Sequence, residues 1–94
     1  MFEISVRQDG DVHLCGRFDA AQVEKAELVF EKITKSCRVD FSELDYISSA
    51  GLGVLLITQK RLNESGEGLT LLHLNKYVTD VFRYAGFDTI FTIE

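Results

Sequence analysis

No stretch of these 94 residues stays apolar for the length that a bilayer crossing demands, so a membrane-inserted chain is not expected. Met1 is followed by strand-like alternation, not by a basic segment and an apolar core, so the reading is a cytoplasmic protein without a secretory leader. Cysteine is scarce. Cys15 and Cys37 lack C-x-x-C spacing and sit in apolar segments, which suits small buried thiols and excludes a disulfide framework. Histidine is equally scarce: His13 and His73 both fall on strand-like segments, and His13 with Cys15 on one face still lacks a third zinc ligand. Bases are outnumbered, with 10 Lys and Arg against 15 Asp and Glu. The resulting net charge of −5 repels nucleic-acid backbones and anionic membranes, so direct DNA binding is not expected and a protein or small-molecule partner is. Internal repeats, low-complexity tracts and linkers are missing too. What is present is 46% apolar and 27% charged residues, the balance of a single folded domain with one core.

The order of elements follows from periodicity. Phe2 to Arg7 alternates Phe2, Ile4 and Val6 with Glu3, Ser5 and Arg7, a strand with one buried face. Asp9-Gly10 within Gln8-Asp9-Gly10-Asp11 signals a hairpin into a second, antiparallel strand with Val12, Leu14 and Gly16 on one face. Asp19, with Gln22 in capping-box spacing, opens a helix over Ala20 to Thr34 whose apolar stripe is Val23, Ala26, Phe30 and Ile33. Cys37 to Phe41 reads as a short buried strand, and Ser42 to Ile47 as an apolar loop. A second helix spans Ser49 to Glu64 and stops at Ser65-Gly66-Glu67-Gly68. Leu69 to Leu74 is a strand, Lys76 to Ala85 a third helix stopped by Gly86, and Thr89 to Ile93 a last strand. The fold expected is a single α/β domain of order β-β-α-β-α-β-α-β, a mostly parallel mixed sheet with an N-terminal antiparallel hairpin and three helices.

The segment Tyr46-Ile47-Ser48-Ser49-Ala50-Gly51-Leu52-Gly53 sets two hydroxyls at a helix start. Unpartnered N–H groups and the positive end of the helix dipole favour an anion there, so a phosphoserine would be held while presenting about −2 of charge. A plain serine cap is the other reading. Along the second helix, Leu52, Val54, Leu55 and Leu62 fall on a sheet-facing arc, whereas Ser49, Gly53, Ile57 and Lys60 fall on another. Ile57 belongs either to a widened core arc or to a partner stripe that begins at the serines. Catalysis finds little support: no glycine stands two residues before either serine, as a hydrolase elbow needs, and Gly51-Leu52-Gly53 lacks a nucleotide-cradling loop and lysine. Asp19, Asp40 and Asp45 read as a cap and solvated charges. No catalytic residue, metal site or cofactor is assigned.

Three motifs in this order resemble the STAS domains of the anti-sigma factor antagonist family: Gly16-Arg17-Phe18-Asp19, the stretch from Val39-Asp40-Phe41-Ser42 through Gly53, and Tyr84-Ala85-Gly86-Phe87-Asp88. The resemblance spans essentially the whole chain. It implies a regulator of transcription, not an enzyme, that binds an anti-sigma factor with serine-kinase activity when unphosphorylated, is switched off by phosphorylation, and is reset by a phosphoserine phosphatase. Residue by residue, the phosphoacceptor falls at Ser49, with Ser48 as the alternative, because Ser48 stands at the family's aspartate and Ala50 at its second serine. The implied partner surface is Ser48, Ser49, Ala50, Gly51, Leu52, Gly53, Ile57 and Lys60. The family usually adds a final helix that does not follow Ile93-Glu94 in this sequence. A STAS subunit of a lipid-transport ATP-binding cassette complex, using the same surface constitutively, is the alternative.

Overall fold

A computed structural model describes residues 1–94 and gives the expected element order. The strands are β1 (Phe2–Val6), β2 (Val12–Phe18), β3 (Cys37–Ile47), β4 (Leu69–Leu72) and β5 (Thr92–Ile93). The helices are α1 (Val23–Phe30), α2 (Ser49–Asn63) and α3 (Lys76–Tyr84). One five-stranded sheet runs β1-β2-β3-β4-β5, antiparallel between β1 and β2 and parallel thereafter. Because each parallel strand is added on the same side of the last, right-handed crossovers carry all three helices over one face. Burial agrees: Leu69 and Leu71 are buried, whereas Thr70 and Leu72 between them are half-buried. Ala26 and Phe30 of α1, Leu52, Leu55 and Leu62 of α2, and Val78 and Phe82 of α3 meet the sheet in one core.

The hairpin closes as its Asp-Gly pair requires. Gly10 donates to the Arg7 carbonyl at 2.9 Å and adopts φ +92°, the left-handed turn position that glycine occupies without steric cost.

Three expected boundaries are corrected. Ser42 to Ile47 is strand, not loop: β3 continues to Ile47 and pairs with β2 through two register shifts, the last pair being Phe18 with Ile47. Those shifts break strict alternation, so Leu44 and Ile47 are both buried although three residues apart. The first helix is shorter than Ala20 to Thr34. Asp19 caps a 3-10 turn at Ala20–Gln22, accepting from Ala21 N–H at 3.1 Å. At the other end the Arg61 guanidinium takes the Phe30 and Ile33 carbonyls, both at 2.8 Å, and the chain leaves the helix there. The last strand is reduced to Thr92–Ile93, because Phe87–Thr89 forms a 3-10 turn and Gln59 Nε2 holds the Ile90 carbonyl at 2.9 Å. The remaining strand and helix ends differ from expectation by no more than a frayed turn.

Candidate functional site: the start of α2

The parallel strands deliver the N-termini of the helices to one rim of the sheet, and α2 begins there directly after β3. Ser48 is the N-cap in extended backbone, φ −91° and ψ 170°. Its Oγ accepts from Gly51 N–H at 3.2 Å, and its own N–H donates to the Phe18 carbonyl at 2.9 Å, tying the helix start to the end of β2. Half-buried and engaged at both groups, Ser48 is the capping serine. Ser49 is the first helical residue, is exposed, and its hydroxyl has no hydrogen-bond partner within the chain. The two serines are thus chemically distinct: one hydroxyl is committed to the cap, and the next stands free beside the positive helix end.

Two residues of the expected partner surface are corrected to interior ones. Leu52 is 4% exposed and belongs to the core. Gly51 is buried against β2 and β3, so close that a Cβ built on it lies 3.0 Å from both the Phe18 carbonyl oxygen and Ile47 Cγ1. Gly53 contrasts with it, since a Cβ there meets nothing within 4 Å. Ser49, Ile57 and Lys60 are exposed, with Ala50 and Gly53 half-buried. Ile57 shows 65% of its surface, so it lies outside the core arc of Val54, Leu55 and Leu62.

Beside the serines stands a ladder that sequence reading did not pick out. The Arg17 guanidinium carbon lies 4.3 Å from the centre of the Tyr46 ring, and Tyr46 stacks on Tyr77 with 5.9 Å between ring centres. The β2–β3 register pairs Arg17 with Tyr46, whereas Tyr77 arrives from the first turn of α3 and is half exposed. Only the register carries a signal for this, and the register depends on the β3 shifts that the sequence hides.

Elsewhere the charged candidates resolve into structural roles. Asp40 lies 2.9 Å from Arg7 and accepts from Ser42 N–H at 2.9 Å. Burial works to raise its pKa, but Ser42 and Arg7 outweigh it and hold the carboxyl below the usual range. Asp45 is exposed and Asp19 caps its turn. Asp11 is held low chiefly by its hydrogen bond to Arg38, with Nη2 at 2.6 Å and Nε at 2.8 Å from Oδ2. Burial pushes the Cys37 thiol up, which makes it less nucleophilic at neutral pH. His13 and Cys15 are not joined by a third ligand, and no group of three His, Cys, Asp or Glu side chains is placed to hold a metal.

Comparison with known proteins fits this geometry. The family model described as "Mlab, STAS domain" matches residues 4–93. A Bordetella bronchiseptica protein named "Putative anti-sigma factor antagonist BtrV" is 40% identical over 74 residues, 79% of this chain. The chain spans only 58% of the length of that relative. Among solved structures, a Thermotoga maritima protein named in the same way superimposes with a TM-score of 0.81 at 23% identity, over 99% of this chain and 85% of that one. The phosphorylated form of the Bacillus cell fate determinant SpoIIAA gives 0.71 at 19% identity, over 100% and 91% respectively. At such identities the structures speak for the fold; with the family model covering nearly every residue, the chain belongs to the STAS domain family.

Proposed function

We propose that this chain is an anti-sigma factor antagonist that docks through the exposed side of α2 and is switched by phosphorylation of Ser49. In this reading the unmodified form binds an anti-sigma factor with serine-kinase activity in the cytoplasm, displacing a sigma factor. Phosphate on Ser49 ends the competition, a phosphoserine phosphatase restores it, and the chain itself catalyses nothing. The observation that carries the reading is the difference between adjacent serines: Ser48 Oγ is committed to Gly51 N–H, while Ser49 Oγ is exposed and unpaired. A kinase can take Ser49 without dismantling the cap. The added charge of about −2 must then be desolvated or repelled wherever a partner covers the helix start, and each 1.4 kcal/mol of that cost is about a tenfold loss in occupancy.

The test is phosphopeptide mapping after incubation with the copurifying kinase, together with titration of partner against modified and unmodified chain. Modification at Ser49 with lost binding is expected; modification confined to Ser48, or unchanged binding, refutes the switch. A second reading, constitutive docking on a transport ATPase through the same surface, is favoured by the missing acidic neighbour: Ser48 stands where phosphorylated members of the family carry aspartate. Copurification of an ATPase subunit with no kinase decides for it.

A further inference from the structure

We infer that the groove between α1 and α2 is a second docking subsite, made for an apolar side chain flanked by basic residues on the protein partner. The inference rests on the reading of α2 as a docking surface and extends it away from the serines. Phe30, Val54 and Thr58 form the groove's buried floor, and Ile57 forms an exposed apolar wall. About 60 Å³ lies open between them, several times what one water needs, so the end of one apolar side chain fits. The rim is acidic: Glu27 and Glu31 stand one helical turn apart, and neither takes part in an ion pair within the chain. The cation in the groove is Arg61, and its Nη1 and Nη2 are already committed to the Ile33 and Phe30 carbonyls.

The position of those carboxylates is the stronger point. They lie at the C-terminal end of α1, the negative end of its dipole, and the last turn of that helix carries no base. Helix stability alone favours the opposite charge there. Arg61 reaches that end from α2 with one positive charge against two carboxylates, so the excess negative charge favours a further cation from outside, and an apolar floor beside it selects a partner that brings both. Gly53 and Ile57 link the groove to the helix start along one side of α2, so a single partner can span both.

The test uses ¹⁵N-labelled full chain titrated with the peptide GKLLKG, with GKAAKG and GELLEG as controls. GKLLKG is expected to shift the amides of Glu27, Glu31, Ile57 and Arg61, with each control at least about tenfold weaker. The Glu27→Gln, Glu31→Gln double variant should lose those shifts while melting within a few degrees of the parent, since neither carboxylate holds an ion pair within the chain. Shifts centred elsewhere, equal shifts with GELLEG, or none at about 5 mM peptide overturn the groove. Failure of the wider reading looks different. A copurified partner that binds the double variant as tightly as the parent overturns the groove and leaves the anti-sigma reading standing, whereas GKLLKG shifts as expected with no partner recovered support the groove alone.

Discussion

Replacing each of the two glycines at the start of α2 by alanine should move stability in opposite directions, although they are two residues apart on one helix. At Gly53 the added methyl meets nothing within 4 Å. Only the backbone term remains, and alanine in place of a helical glycine stabilises by about 0.5–1 kcal/mol. For a domain of this size that raises Tm by roughly 2–8 °C. At Gly51 the same gain is opposed. The new Cβ lies 3.0 Å from the Phe18 carbonyl oxygen and from Ile47 Cγ1, and 3.1 Å from Phe18 Cγ. That carbonyl cannot retreat cheaply, because it also accepts the Ser48 N–H at 2.9 Å. Overpacking of this kind costs about 1–3 kcal/mol, so the net change for Gly51→Ala is a loss of about 0–2.5 kcal/mol. Thermal melting followed by circular dichroism reads both. A rise in Tm for Gly51→Ala, or a fall for Gly53→Ala, would refute the account of how α2 is seated. On the proposed docking surface Gly53→Ala carries a further expectation: partner affinity should drop even as the fold gains stability.

Ser48→Ala removes the cap acceptor and should destabilise by about 0.5–2 kcal/mol in denaturant titration, whereas Ser49→Ala, which breaks no hydrogen bond, should change stability by no more than about 0.5 kcal/mol. Ile57→Asp should leave Tm within a few degrees of the parent, since the side chain is 65% exposed, while weakening partner binding at least about tenfold by calorimetry; a large fall in Tm would return Ile57 to the core. Acid should unfold the domain through Asp11 and Asp40, whose folded pKa values lie below the ordinary carboxylate value: the unfolded chain takes up protons first, so their contribution is complete above about pH 5 and is lost as pH falls through the folded values. Asp11→Asn should flatten that part of the stability–pH curve, and an unchanged slope would remove Asp11 from the account.

Periodicity made the element order and the seating of the helices legible, because a buried face repeats in the sequence whatever lies beyond it. Val12, Leu14 and Gly16 alternate, Val54, Leu55 and Leu62 share an arc, and each is buried as its spacing requires. Long-range contacts set the features that escaped. The Arg61 guanidinium reaches back about thirty residues to end α1, and no local signal near Phe30 announces it. The register shifts that carry β3 on to Ile47 erase the alternation by which a strand is recognised. The candidate site was divided in the same way. The outward positions of Ser49, Ile57 and Lys60 follow from helical geometry, but the inward turn of Gly51 and Leu52 depends on how the first turn meets β2 and β3, and the Arg17–Tyr46–Tyr77 ladder depends on register and on α3.

The way α2 is anchored also decides what a phosphate on Ser49 can do. A conformational switch needs an element with two packings of similar free energy. The start of α2 offers no such freedom: Gly51 is wedged against Phe18 and Ile47, Ser48 is bonded to the Phe18 carbonyl and to Gly51, and Leu52 and Leu55 are in the core. Moving the helix would break these contacts together, at a cost of several kcal/mol from lost burial and hydrogen bonds. Charge at the first helical residue supplies no comparable force in the opposite direction, because an anion at that end is favoured by the helix dipole. A phosphate placed on Ser49 should therefore leave the fold where it is and change only what can approach it. Its effect on binding is then confined to partners that cover the rim, and a ligand confined to the α1–α2 groove should bind the modified and unmodified chain alike.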